Sequence, residues 1–216
     1  MKLKDLIEGP GPISDISAYL DNLTAPQRWG ELSSLSKRCQ RTLYLKAEAS
    51  EPLCLDDFVP AGAPDTTQVV HAGKNSLPLF RDFEKRFART DGVVCGYNEG
   101  SLRGIIGPGY FVIRPTTGAE QARGAVVVDY FQVPQGPVPV GWPDIRQNWQ
   151  GLQYFVYHKT RDYLRGVAPG ITIGSAWKTL LGKERALNSY FVLMQRGRSA
   201  STGTRSPAAG HPSEPG

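Results

Sequence analysis

Two residues with acid–base character stand inside runs that are otherwise apolar: Asp129 and His158. In the run 125–133, Ala125, Val127, Asp129, Phe131 and Val133 share one face, because side chains two apart on a strand point the same way. A carboxylate in such a row has to be paired, hydrogen-bonded or protonated, since burying a lone charge is expensive. In the run 153–160, Tyr154, Val156 and His158 share a face, which sets an imidazole among aromatic and aliphatic groups. Within hydrogen-bond reach of each other, an aspartate and a histidine form an acid–base pair. The same parity groups Arg114 with Tyr110 and Val112, Tyr97 with Val93 and Cys95, and Trp177 with Ile171, Ile173 and Ser175. If these strands curl, Tyr97, Arg114, Asp129, His158 and Trp177 project into one interior. Aromatic walls with a few inserted polar groups are how small-molecule cavities are built. The plainer alternative has Asp129 bridged to Arg114 for structure alone and His158 facing solvent.

Other chemistry finds less support. The phosphate-loop, zinc-protease and nucleophile-elbow patterns are absent from the sequence, as is any C-x-x-C pair. Gly104, Gly107 and Gly109 sit close together but precede a strand, so they serve backbone turns. The stretch from His71 to Ser76 carries Lys74 just before a helix start, an arrangement that can hold an anion, though any turn before a helix looks alike. His71 and His158 have no carboxylate or second histidine at ligand spacing, and Asp56-Asp57 reads as a turn. No metal and no cofactor is expected.

The elements that must position these residues fall into two regions. Ser14 caps a first helix with Ile16, Tyr19, Leu20 and Leu23 on one side. Thr24 caps a second, with Pro26 in its first turn and a stripe through Trp29, Leu32, Ser36, Cys39, Leu43 and Ala47. After a Pro/Ala/Gly break at 60–64 and a short extended piece at 67–70, the spacing predicts a turn over 71–75. A third helix, capped by Ser76, then carries Leu79, Phe80, Phe83 and Phe87. From Asp91-Gly92 onward the runs are β-branched and aromatic, punctuated by Gly and Pro: 93–98, 109–114, 125–133, 153–160, 171–178 and 189–196, with 102–106 as a seventh. Few connections have room for a crossover helix, so the strands pair antiparallel. The segment 134–143 holds four prolines, at 134, 137, 139 and 143, and passes through Trp142. It reads as a semi-rigid loop on a cavity rim.

The fold expectation is therefore α+β: N-terminal helices packed on an antiparallel β-sheet of six to seven strands, curled into a barrel or half-barrel. One domain spans 1–196, helical over 14–48 and 76–89 and β-rich over 92–196. A tail at 197–216 without large apolar residues is expected to be disordered.

With 216 residues, 40% hydrophobic and 21% charged, the chain can bury one substantial core. Net charge is +5, but the basic residues are scattered, and nucleic-acid binding needs a clustered basic footprint. The N-terminus lacks the apolar stretch of a secretory signal, and no run approaches the ~18 apolar residues of a membrane span. Three widely separated cysteines fit a reducing compartment, so the cytoplasm is expected.

The leading functional expectation is a binding protein holding a small, largely apolar ligand in an aromatic-lined β cavity. In outline this is a lipocalin-like architecture, by fold-level analogy and without any residue motif of that family. One alternative is an enzyme with Asp129 and His158 as acid and base. Another is an interaction module without a cavity, contacting partners through the Pro-rich loop and an exposed sheet edge.

Overall fold

A computed structural model describes residues 2–77 and 81–197. Four helices come first: α1 (Leu3–Glu8), α2 (Ile13–Asp21), α3 (Ala25–Ser33) and α4 (Lys37–Lys46). Eight strands follow: β1 (Val69–Asn75), β2 (Asp82–Thr90), β3 (Val93–Glu99), β4 (Phe111–Pro115), β5 (Val126–Asp129), β6 (Thr160–Ala168), β7 (Ile171–Leu180) and β8 (Lys183–Gln195). Two one-turn helices, α5 (Arg103–Ile106) and α6 (Gln153–Val156), interrupt the connections. Each strand pairs antiparallel with the next, and β8 returns to β1, closing an up-and-down barrel. Closure removes the two free edges that an open sheet would leave.

Capping signals explain α3 and α4, whereas Ser14, expected to cap a first helix, lies inside α2, which starts after Pro12 without a side-chain cap. The Thr24 N–H donates to Gln27 Oε1 at 3.0 Å and starts α3. Ser36 accepts from the Cys39 N–H at 3.2 Å and starts α4. The stripe from Trp29 to Ala47, expected as one helix, is thus split in two by a serine that sits within it. Leu20, Leu32, Cys39 and Leu43 face Val167, Ile173 and Val192 on the outer side of β6–β8. Each such aliphatic side chain contributes about 1.5–3 kcal/mol by leaving water. The helices are therefore a cover on one wall of the barrel.

Inside the barrel, Phe87, Phe111, Val126, Val128, Leu164, Phe191 and Leu193 form a second core. Three interior glycines each lie across from a phenylalanine whose ring takes their Cβ space: Gly73 from Phe83, Gly96 from Phe111 and Gly174 from Phe191. A Cβ built on Gly174 would lie 2.3 Å from the Phe191 ring, and one on Gly73 would lie 2.5 Å from Phe83. Each ring fills the space its glycine vacates, so the barrel packs eight strands around large aromatics. One end is plugged by Phe58 and Val59, which join the interior core, with the Phe58 carbonyl 3.3 Å from His71 Nε2. The β2–β3 hairpin turns at that end on Asp91 (φ 48°) and Gly92 (φ 76°), the two positive φ values that a type I′ turn requires.

Several expectations are corrected. The segment 76–89, expected to be helical, contains β2; residues 78–80 lie outside the described residues. Phe83 and Phe87 are four apart, a spacing that suits a helix face and a strand face equally, and pairing with β1 and β3 decides for the strand. The turn expected over 71–75 is part of β1. The seventh strand expected at 102–106 is α5, and the run 153–160 is α6 followed by the start of β6. The count rises from six or seven strands to eight because β1 and β2 join the sheet. The tail lies outside the described residues from 198 onward.

Candidate functional site

The end of the barrel opposite the plug is open. A cavity of about 640 Å³ enters there, walled by Phe83, Ile106, Phe155, Tyr157, Leu187 and Phe191. Its rim comes from Leu77 and Arg81, which flank β1 and β2, and from the β3–β4 and β5–β6 connections, which emerge at this end.

At its floor four polar side chains converge from four places in the fold: Lys85 on β2, Asn98 on β3, Tyr130 just after β5 and Asp162 on β6. Each sits on the inward parity of its strand. Lys85 follows Phe83 and precedes Phe87, Tyr130 continues the row Val126–Val128, and Asp162 precedes Leu164. Lys85 is 1% exposed and Asp162 is 5% exposed, so both charges are taken out of water. The Lys85 Nζ donates to Asn98 Oδ1 at 2.9 Å, to Asp162 Oδ2 at 3.1 Å and to the Tyr130 hydroxyl. All three ammonium protons thus have acceptors. Burial pulls the Lys85 pKa down, and the adjacent Asp162 carboxylate opposes that pull.

Aromatic rings complete the enclosure. The Nζ lies 4.9 Å from the centre of the Phe111 ring, 5.0 Å from Tyr130 and 5.2 Å from Phe191. Such contacts favour a cation when water is excluded. Tyr157 stacks on Tyr130 with ring centres 5.2 Å apart. Burial foremost, with the Asp162 charge adding to it, raises the pKa of both phenols, so they remain protonated at neutral pH. Gly109 ties the rim to the floor: its carbonyl accepts from Asn98 Nδ2 at 3.0 Å and its N–H donates to Gln153 Oε1 at 2.8 Å. The Tyr157 ring occupies the place where a Cβ of residue 109 would stand, 2.4 Å away.

The residues expected to share the interior are distributed differently. Arg114 and Asp129 do meet, at 3.2 Å, but on the outward parity of β4 and β5. Asp129 also accepts from Arg161 Nε at 3.1 Å and from the Phe131 N–H at 3.0 Å. Arg114 forks onto Glu120 at 2.8 and 2.9 Å. Trp177 stands opposite Arg161 on the same outer wall, with the Arg123 guanidinium 4.1 Å from its ring. Tyr97 lies on the outer face of β3 beneath Trp142, ring centres 4.9 Å apart. His158 stacks on Tyr154 at 4.7 Å, and partial burial with two nearby lysines lowers its pKa. Asp129 and His158 are not brought together as an acid–base pair.

The reason is that parity tells which residues share a face but not which face turns inward. The Pro-rich segment is corrected too: it lies against Tyr97 and Tyr110 through Val138 and Trp142, on the outer wall rather than the cavity rim. Lys85, Asn98, Tyr130 and Asp162 were missed as site residues. The signal for Lys85 was a lysine between two phenylalanines at period two, hidden by the helical reading of the same stretch.

Among the described residues no group of three or more His, Cys, Asp or Glu is arranged to hold a metal ion, and no helix is long and apolar enough to cross a membrane. No family model, curated protein or solved structure matches the chain.

Proposed function

We propose that the chain binds a small, largely apolar molecule carrying one uncharged polar group, held in the open end of the barrel. The observation that carries this reading is a roomy aromatic cavity with a satisfied, charge-balanced polar floor. Apolar walls supply affinity by area, and a few convergent polar groups orient the ligand. Lys85 and Asp162 offset each other's charge, and at the wall Glu99 is engaged by Arg103 at 2.7 Å. A carboxylate or ammonium entering such a site gains no excess counter-charge and loses its hydration, whereas a carbonyl or hydroxyl loses less.

The closed eight-strand up-and-down barrel resembles lipocalin-like carriers in outline, which supports the reading by analogy only. Cys39, Cys54 and Cys95 are all free, which fits a reducing, cytoplasmic setting.

The test is a titration with Nile red, an uncharged fluorophore whose emission rises in apolar surroundings. Wild type is compared with Ala176→Phe, which projects a ring into the cavity from β7. Saturable binding by wild type and its loss in a folded Ala176→Phe support the reading. Equal binding by both, or none by wild type, argues against it.

A further inference from the structure

A lysine is an uncommon residue to seal inside a barrel, and its position here has chemical content. The Lys85 Nζ lies at the cavity floor, at the end of the space a ligand enters. Two groups able to exchange protons, the Asp162 carboxylate and the Tyr130 hydroxyl, are hydrogen-bonded to it. Asn98 holds it from a third side, and phenyl rings exclude water around it. A desolvated amine in an apolar pocket, next to a proton acceptor, is the arrangement that makes lysine a nucleophile toward carbonyl carbon.

We propose that Lys85 captures an aldehyde or ketone ligand as an imine, with Asp162 relaying the protons. This rests on the reading of the cavity as a binding site. The ammonium first passes a proton to Asp162. The freed lone pair forms a C–N bond to the carbonyl carbon as the C=O π bond breaks, and the oxygen takes the proton from Asp162. The nitrogen then returns a proton to Asp162. The hydroxyl departs as water with that proton, and the nitrogen lone pair closes the C=N bond. The net change is ammonium plus carbonyl giving protonated imine plus water, with no oxidant or reductant required. Asp162 ends as a carboxylate facing an iminium, so the charge balance of the floor is preserved through the reaction. Burial also lowers the Lys85 pKa, which enlarges the share of free amine available at neutral pH.

The test uses the full chain with 2-naphthaldehyde and sodium cyanoborohydride, followed by intact mass and peptide mapping. In parallel, binding of 2-naphthylmethanol, which cannot form an imine, is followed by native mass spectrometry. The expected result is one naphthylmethyl group per chain, mapped to Lys85 and suppressed by excess 2-naphthylmethanol. In Asp162→Asn, labelling at Lys85 is expected to slow by about 10²-fold. The wild-type peptide map decides the matter even where that variant folds poorly. Label confined to surface lysines while 2-naphthylmethanol still binds would overturn the imine and leave the cavity reading standing. If Lys85 stays unlabelled and the alcohol does not bind either, both readings fall.

Discussion

Lys85 Nζ and Asp162 Oδ2 face each other at 3.1 Å across the inside of a closed barrel, one on β2 and the other on β6, 77 residues apart in the chain. No local propensity brings them together; barrel closure does. Removing one partner of a buried pair strands the other charge, which costs about 3–5 kcal/mol. Lys85→Met is therefore expected to lower unfolding stability by that amount in a urea titration. Lys85→Met combined with Asp162→Leu should recover most of the loss, because apolar replacement of both partners removes the stranded charge. A double variant no more stable than the single one would show that the pair is not coupled.

The same lysine predicts a pH dependence on the alkaline side. Its folded pKa is lowered from 10.5 by burial, against the pull of Asp162. Between the two values the unfolded chain holds a proton that the folded chain releases, so stability from this group rises with pH across that window. Facing it, Tyr130 and Tyr157 have raised pKa values, so their contribution falls only as pH climbs past the usual 10.0. The stability difference between wild type and Lys85→Met should widen as pH rises from neutrality toward about 10. A difference independent of pH would contradict the lowered pKa.

On the outer wall a lowered pKa acts with the same sign, but in the acid range. The Arg114 fork holds Glu120 down to about 2 from 4.5, against a smaller opposing effect of burial. The stability it confers is present above 4.5 and is lost as pH falls toward 2. Glu120→Gln should flatten the acid limb of a stability–pH curve in that range. An unchanged limb would mean that other carboxylates dominate it.

Asp129 offers a direct contrast with the cavity floor. It is 1% exposed and accepts from Arg114, Arg161 and the Phe131 N–H. Asp129→Asn is expected to cost about 1–3 kcal/mol in thermal or urea unfolding, the range for breaking a buried hydrogen-bonded group. Nile red affinity should stay at the wild-type level. Lost binding in a folded Asp129→Asn protein would restore a role for this residue in the site.

Gly174→Ala places a methyl group against the Phe191 ring inside the barrel, where no flexible chain end can give way. Overpacking of this kind costs about 1–3 kcal/mol, measurable by urea unfolding. A neutral result would show that the interior has slack beside the cavity.

Much of the architecture was legible from sequence because its signals are local. Thr24 and Asp91-Gly92 are a cap and a turn that act within a few residues, whereas Ser36, which caps α4, was hidden in a stripe that reads as one continuous helix. The β-rich half followed from alternation in β5 and β7 and from connections without room for crossover helices. What stayed hidden depended on long-range pairing. Phe83, Lys85 and Phe87 form an inward strand face only because β1 and β3 flank them. Asp129 was rightly singled out as a carboxylate needing partners, and Arg114 was named as one. Its face was taken as inward because an apolar row fits a barrel interior and a covered outer wall alike. The polar floor comes from β2, β3, β6 and the residue after β5, so no single stretch of sequence announces it.

The most direct test of the central claim is native mass spectrometry of freshly purified full-length protein beside the same sample denatured, for wild type and Ala176→Phe. A non-covalent adduct of a few hundred daltons on wild type that is missing from the folded variant is the expected result. A clean apo mass for both, with no adduct after incubation with 2-naphthylmethanol, would contradict the barrel mouth as a ligand site.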